Sequence, residues 1–348
     1  MKKLLVLILT AFLALSAFSM TACGGTENIT IYTGGTGGTY YAFTNGLQTQ
    51  LANKTGYTYT VVGDTGGSVA NLKAINSGDC KMAIVQNDTM VNAYNGLTNN
   101  FSATGKITNF SVIGEVYPEV MQIVTDDPAI KTLADLKGSN KSVSIGDVGS
   151  GVEANAVALL TKYGVDITYD DANKKYTSTD IKIENLSVAK SADAMKDNKL
   201  SVFFFTSGAP ATSITEIALS KTVYMIGLDD TVMDEFIADN KIDGKYDVYS
   251  KQPITNAQYS FIPADAPIYT IGVSATYIAA NSLSEEVVYN ITKALWESKG
   301  SIGHSVESTM DTDYALVTIG NVPVHPGAAK YYKELGYTVD NIAKINLN

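Results

Sequence analysis

Three places in the chain set glycines and hydroxyls where backbone donors could meet a ligand: Gly34-Gly35-Thr36-Gly37-Gly38-Thr39, Gly66-Gly67-Ser68 and Gly149-Ser150-Gly151. Each follows a short apolar run and precedes a segment with helical spacing, so each sits at a helix start. N–H groups there have no intrahelical partner, and the positive end of the helix dipole favours an anion. A fourth stretch, Thr206-Ser207-Gly208 ahead of Pro210, has the same build. Singly, such a stretch is equally a structural cap or a tight turn. Four in one chain point to a cleft that holds a small anion.

Familiar phosphate motifs fail on the letters. A dinucleotide fingerprint starting at Gly35 would need glycine where Tyr40 stands, and no lysine lies between Glu27 and Lys54 to complete a P-loop. The chain has no arginine, so all 25 basic residues are lysine and bidentate guanidinium recognition of a carboxylate is impossible. Any anion must be held by other donors. His304 and His325 are too far apart in sequence to suggest a metal site, and no G-x-S-x-G is present. Neither catalysis nor a metal or cofactor is expected. Adjacent acids such as Asp126-Asp127, Asp170-Asp171 and Asp229-Asp230 read as solvated loop residues. Cys80 reads as a small buried residue, and Glu119, after Pro118, as a contact to a ligand ammonium or to a hinge group.

The elements that must position these residues alternate. Strands are expected at 28–32, 57–62 and 81–86, separated by helices at 39–54 and 68–76, and this order predicts a largely parallel sheet with helices on both faces. The middle repeats the theme. Strands are expected at 120–125, 142–146, 181–186 and 202–206, with a helix after Gly151 that turns Val152, Ala156, Leu159 and Tyr163 inward and another near 191–197. A strand at 270–278 and helices at 284–299 and 327–335 close the chain. Two α/β lobes fit this better than one long sheet.

The leader is separate from the fold. Lys2 and Lys3 precede an apolar run over residues 4–18, suited to a secretory signal, and Met20-Thr21-Ala22-Cys23 resembles a lipobox. Cleavage after residue 22 would leave 326 of the 348 residues and, with two lysines gone, move the net charge from −10 to −12. Such an acidic surface argues against nucleic acid.

Taken in order, Gly34 to Tyr41, Gly67-Ser68 with Asn71-Leu72, Gln86 with Asp88, Tyr117-Pro118-Glu119, Asp135-Leu136 with Gly138 and Gly149-Ser150-Gly151 form a pattern. It continues through Phe204-Phe205, Gly208, Pro210, Pro323, His325-Pro326-Gly327-Ala328 and Tyr331-Tyr332. The chain resembles the TAXI family, the solute receptors of one class of TRAP transporters. That resemblance implies a two-lobed type II periplasmic-binding-protein fold that closes on a small organic anion, glutamate-like or a dicarboxylate, and delivers it to a membrane permease. The implied first-lobe ligand shell is Thr36, Gly37, Tyr40, Ser68, Gln86, Asn87 and Glu119; Ser150, Gly151 and Phe205 belong to the second. Asn87 and Cys80-Lys81 depart from the family pattern. Lobe I is expected over 27–119 and 271–348, and lobe II over 120–270. A monomer, lipid-anchored outside the cytoplasm, completes the expectation. The alternatives are a receptor of the same fold serving a signalling partner and, in another class, a hydrolase.

The lipobox makes a direct prediction. Membrane-associated protein should have Cys23 as its first residue and carry a diacylglyceryl mass, read by intact mass spectrometry. An unmodified Cys23 or another N-terminus would refute it.

Overall fold

The computed structural model describes residues 28–102 and 104–345; Cys23 and the leader lie outside these. Strands β1 (Asn28–Tyr32), β2 (Thr58–Val62) and β3 (Met82–Gln86) alternate with helices α1 (Thr39–Thr55), α2 (Ser68–Ser77) and α3 (Asn87–Asn95). After a long β4 (Phe110–Thr125) come β5 (Ser142–Ser144), α4 (Gly151–Lys162), β6 (Thr168–Asp170), β7 (Lys175–Thr177) and β8 (Lys182–Glu184). Then follow α5 (Val188–Lys196), β9 (Val202–Ser207), α6 (Thr212–Ser220), β10 (Tyr224–Met225), α7 (Asp230–Asp239) and β11 (Ser250–Ile254). A second long strand, β12 (Ile268–Ala280), leads into α8 (Glu285–Trp296) and α9 (Pro326–Glu334).

The main sheet runs β2-β1-β3-β12-β4-β9-β5-β8. Its flanks are parallel as the alternating order predicts: β1 with β2 and β3, and β5 with β8 and β9. Its centre is not. β12 is antiparallel to both β3 and β4, and β4 is antiparallel to β9. The sheet is therefore mixed rather than largely parallel, and the two lobes share one continuous path of strands. β4 begins ten residues before the expected strand at 120, because Gly114, Glu115 and Pro118 interrupt an otherwise apolar run whose side chains are buried.

Where β4 and β12 pass from one flank to the other, their ladder is weakest. Pro118 faces Ser274 and has no N–H to donate, and the Ser274 N–H goes instead to Asn87 Oδ1 at 2.8 Å. Register shifts in β12 follow at once, between Ala275 and Thr276 and again between Tyr277 and Ile278. Proline in a central strand is rare because it removes a ladder bond, and here the missing bond falls at the crossing point.

The first flank is locked by buried polar ties as well as apolar packing. Asn71, fully buried in α2, donates to Ile84 O at 3.0 Å and to Thr33 O at 2.5 Å, so one amide binds β1 to β3. On the far side, α8 and α9 meet so closely that a Cβ at Gly327 would lie 2.2 Å from Glu285 O and 2.5 Å from Tyr289 N. Glycine is required there by space, not by backbone angle. Gly327→Ala should cost about 1–3 kcal/mol through forced separation of the two helices, read as a lower urea midpoint; an unchanged midpoint would refute this close packing.

Candidate ligand-binding cleft

A cavity of about 860 Å³, open solvent included, lies between the two flanks of the sheet. Its first wall is the loop Gly34-Gly35-Thr36-Gly37-Gly38 with Thr39 and Tyr40, then Asp64, Gly66, Gly67, Ser68, Gln86 and Glu119. Its second wall comes from Gly146 and Asp147, Ser150 to Val152, Leu186 to Ala189, and the end of β9 from Phe204 to Ser207. Thus Thr36, Gly37, Tyr40, Ser68, Gln86, Glu119, Ser150, Gly151 and Phe205 are brought to one cavity.

Asn87 is not among the lining residues. Its Nδ2 donates to Val248 O at 2.8 Å and to Thr318 O at 3.0 Å, while its Oδ1 accepts from Ser274 N–H. Its hydrogen bonds run to two loops, at Val248 and Thr318, and to β12 at Ser274. The fourth glycine-hydroxyl stretch also differs from expectation: Thr206 and Ser207 line the cavity, but α6 begins only at Thr212, with Ala211 as its cap. The fourth helix start on the cleft is that of α5, which sequence reasoning placed too late. Ser187 caps it and accepts from Lys190 N–H; an isolated serine before a helical run is the signal that could have found it.

The four helix starts differ by wall. Ser150 and Ser187 cap their own helices, and the Ser150 hydroxyl accepts from Glu153 N–H at 3.1 Å. On the first wall the caps are Gly38 and Gly67, with no side-chain hydrogen bond. Gly67 sits at φ 88°, open to glycine without strain. First-turn N–H groups of α1 and α2 therefore keep their donors for the cleft. Ser68 accepts from Gln86 N–H at 3.0 Å. The walls approach closely: a Cβ on Gly37 would touch Ala189 Cβ at 3.6 Å, and one on Gly67 would touch Ser150 Cβ at 3.4 Å.

Beneath the cavity lies a polar floor that spans both walls. Asp88 accepts from Asn155 Nδ2 at 2.6 Å and from Tyr249 OH at 2.7 Å. Asn155 Oδ1 accepts in turn from Gln86 Nε2 and Thr206 Oγ1. All five groups are buried. Sequence reasoning gave the inward face of α4 to Val152, Ala156, Leu159 and Tyr163: Ala156 and Leu159 are buried and Val152 and Tyr163 pack half-buried against the core, but Glu153, Asn155 and Leu160 are buried with them. Apolar periodicity is blind to a polar residue buried against a polar partner.

Charge in the cleft is one-sided. Asp64, Glu119 and Asp147 line it, and none of the lining side chains is basic. Burial raises the Glu119 carboxyl from its ordinary 4.5 to about 8, partly offset by the Tyr40 hydroxyl, which donates to Glu119 Oε2 at 2.6 Å. Burial also raises the Asp147 carboxyl; exposed Lys190 pulls it down and Asp64 pushes it up. Among the described residues no cluster of three or more metal-ligating side chains occurs.

A family model described as NMT1-like matches residues 31–336. The chain belongs to the NMT1-like family. Among solved structures this NMT1-like protein is similar to MatC (Rpa3494) from Rhodopseudomonas palustris with bound malate. The TM-score is 0.54 at 13% identity, over 83% of this chain and 90% of that one. It is also similar to the alkanesulfonate-binding protein SsuA from Xanthomonas axonopodis pv. citri bound to MOPS, with TM-score 0.46, 13% identity, and 90% and 92% of the two chains covered. An ancestral arginine-binding protein bound to arginine gives TM-score 0.45 and 13% identity over 80% and 96%. The fold is the two-lobed type II periplasmic-binding-protein fold, its cleft between the lobes.

Buried Glu119 gives the NMT1-like protein a pH dependence of known sign. Between its ordinary 4.5 and about 8 the folded protein holds a proton that the unfolded chain has released, so stability is full below that window and falls as pH rises through it. Glu115, raised by burial to about 7, acts in the same direction. Buried His325, lowered from 6.5 to about 4, acts the other way below about pH 6.5, so the carboxyl's effect is read as a difference: from about pH 5 to about pH 8 the melting temperature of wild type should fall relative to that of Glu119→Gln. Equal slopes in the two proteins would refute the assignment.

Proposed function

We propose that this protein is an extracytoplasmic, lipid-anchored solute receptor that closes on a small organic acid and hands it to a TRAP-type membrane permease. The observation that carries the reading is the convergence of four helix starts, two from each wall, on one cavity whose walls already touch at their rim. Uncapped N–H groups on α1 and α2 take the place of the arginine the chain lacks. A carboxylate seated there meets donors from both lobes, so its affinity is higher for the closed state, and only such a difference can drive closure.

Lobe I is assigned to residues 27–119 and 271–348 and lobe II to 120–270, with the crossing at Pro118 and Ser274. Interruption of the ladder at that pair supports the assignment. Tyr40 and Phe205 face the cavity from opposite lobes and exclude water when it closes. The TRAP partnership, the lipid on Cys23 and the glutamate-like or dicarboxylate class rest on the resemblance to the TAXI family. They are tested by uptake into vesicles carrying a TRAP permease, with and without the receptor.

Gly151 makes the closing motion testable. A Cβ there would fall 1.3 Å from Gln86 Oε1 across the lobe boundary. Gly151→Ala should hold the lobes apart, weakening ligand affinity by at least about tenfold, ~1.4 kcal/mol, with little change in the melting temperature of the unliganded protein. Small-angle scattering should then find wild type contracting on ligand and Gly151→Ala contracting less. Tight binding with unchanged dimensions in wild type would overturn the closing receptor.

A further inference from the structure

Asp88, in the first turn of α3, is 1% exposed and lies beneath the cavity rather than on its wall. Asn155 Nδ2 donates to its Oδ2 at 2.6 Å and Tyr249 OH to the same oxygen at 2.7 Å, while Thr89 Oγ1 reaches Oδ1 at 3.3 Å. The Asn155 amide is fixed. Gln86 Nε2 and Thr206 Oγ1 both donate to its Oδ1, at 3.2 and 3.3 Å, so Nδ2 is the end that meets the carboxylate. Tyr249 is held edge-on against Phe236, the ring centroids 5.0 Å apart. Two short bonds thus converge on one buried oxygen from residues 67 and 161 positions away.

A buried carboxylate is tolerated only when donors replace the water it has lost, and hydrogen bonds to a charged acceptor are stronger than those between neutral groups. The source of the donors is one-sided. Thr89 belongs to the helix of Asp88 itself, but Asn155 sits in α4 and Tyr249 just ahead of β11, both within the span assigned to lobe II. Parting the lobes withdraws both at once. Asp88, Asn155 and Tyr249 are all absent from the cavity lining, so these bonds form without help from a solute.

We propose that Asp88 is a latch: its bonds to Asn155 and Tyr249 hold the lobes shut from beneath, and closure does not depend on the solute alone. The proposal rests on the two-lobed receptor reading above and adds a device to it. Affinity then has two sources. One is the contact between solute and helix starts; the other is the fraction of molecules whose lobes already meet, which scales the apparent affinity for every solute alike. Weakening the latch lowers affinity without altering preference. Release of the solute requires that Asp88 be parted from both donors.

A pair of cysteines at the rim reports closure. A Cβ on Gly37 would lie 3.6 Å from Ala189 Cβ, within the roughly 3.5–4.5 Å that a disulfide spans, and Gly37 is not among the glycines at positive φ. In the full-length receptor carrying Gly37→Cys and Ala189→Cys, with no solute added, the rate at which this link forms in glutathione buffer reads the closed fraction; peptide mass mapping identifies the link. Asp88→Asn and Tyr249→Phe keep the shape of their side chains and remove the charge or the hydroxyl. Each should slow the link by about fivefold or more. Each should also raise the solute-free radius of gyration, read by small-angle scattering without the added cysteines, a change that lost stability alone would not produce. Equal rates and equal dimensions in the parent and both variants would overturn the latch and leave the receptor standing. Absence of the link in every protein, even with a bacterial metabolite extract present, would show that the lobes do not meet and overturn both.

Discussion

The antiparallel pairing of β4 with β12 is the constraint on which the rest of the molecule depends. Among the described residues these two strands join the flanks of the main sheet: β12 pairs with β3, β4 with β9, and the two with each other. Everything that faces the cleft hangs from them, either directly, as with Glu119, or through the neighbouring strands. A hydrogen-bonded ribbon resists stretching and shearing but bends easily where its ladder is broken. Pro118 opposite Ser274 supplies such a break: the Ser274 C=O, which proline cannot serve with a donor, accepts from Thr276 Oγ1 at 3.2 Å, and the Ser274 N–H goes to Asn87.

This placement explains an apparent paradox of the site. Asn87 departs from the pattern of the family that the chain resembles, yet it makes no wall of the cavity. Its bonds run to Val248, Thr318 and Ser274, which belong to three separate stretches of chain near the crossing. Glu115 joins the same cluster by accepting from Thr318 N–H at 3.0 Å. A substitution at Asn87 would act on how these stretches of chain are held together rather than on the wall of the cavity.

Much of the architecture was legible in the sequence, and the unread parts share a physical cause. Alternation of β-rich and helical runs placed β1 to β3, α1 and α2 within a residue or two, and glycine-hydroxyl composition led to three of the four helix starts. The long strand β4 was cut short because the residues that interrupt it, Gly114, Glu115 and Pro118, look like ends in a one-dimensional pattern, whereas β12 was placed within two residues at each end. The antiparallel centre was missed because strand direction is set by partners far along the chain. Asn155 escaped because a polar residue reads as surface until its buried partner is known, and its partner Asp88 lies 67 positions away; Asp64 and Asp147 escaped because nothing in an acidic loop residue tells which side of the loop meets a cavity.

Cys80 is 1% exposed, with its thiol raised by burial to about 12, and in a chain expressed from residue 28 it is the only cysteine. Val148, by contrast, is 59% exposed, and its carbonyl lies 3.9 Å from where Gly66 would carry a Cβ. A thiol placed at Val148 would thus be the single site open to a fluorophore, beside Asp147 at the edge of the cavity. The chain thus lends itself to an optical probe, in which a change at the cavity's edge would alter the surroundings of a single dye without any second label.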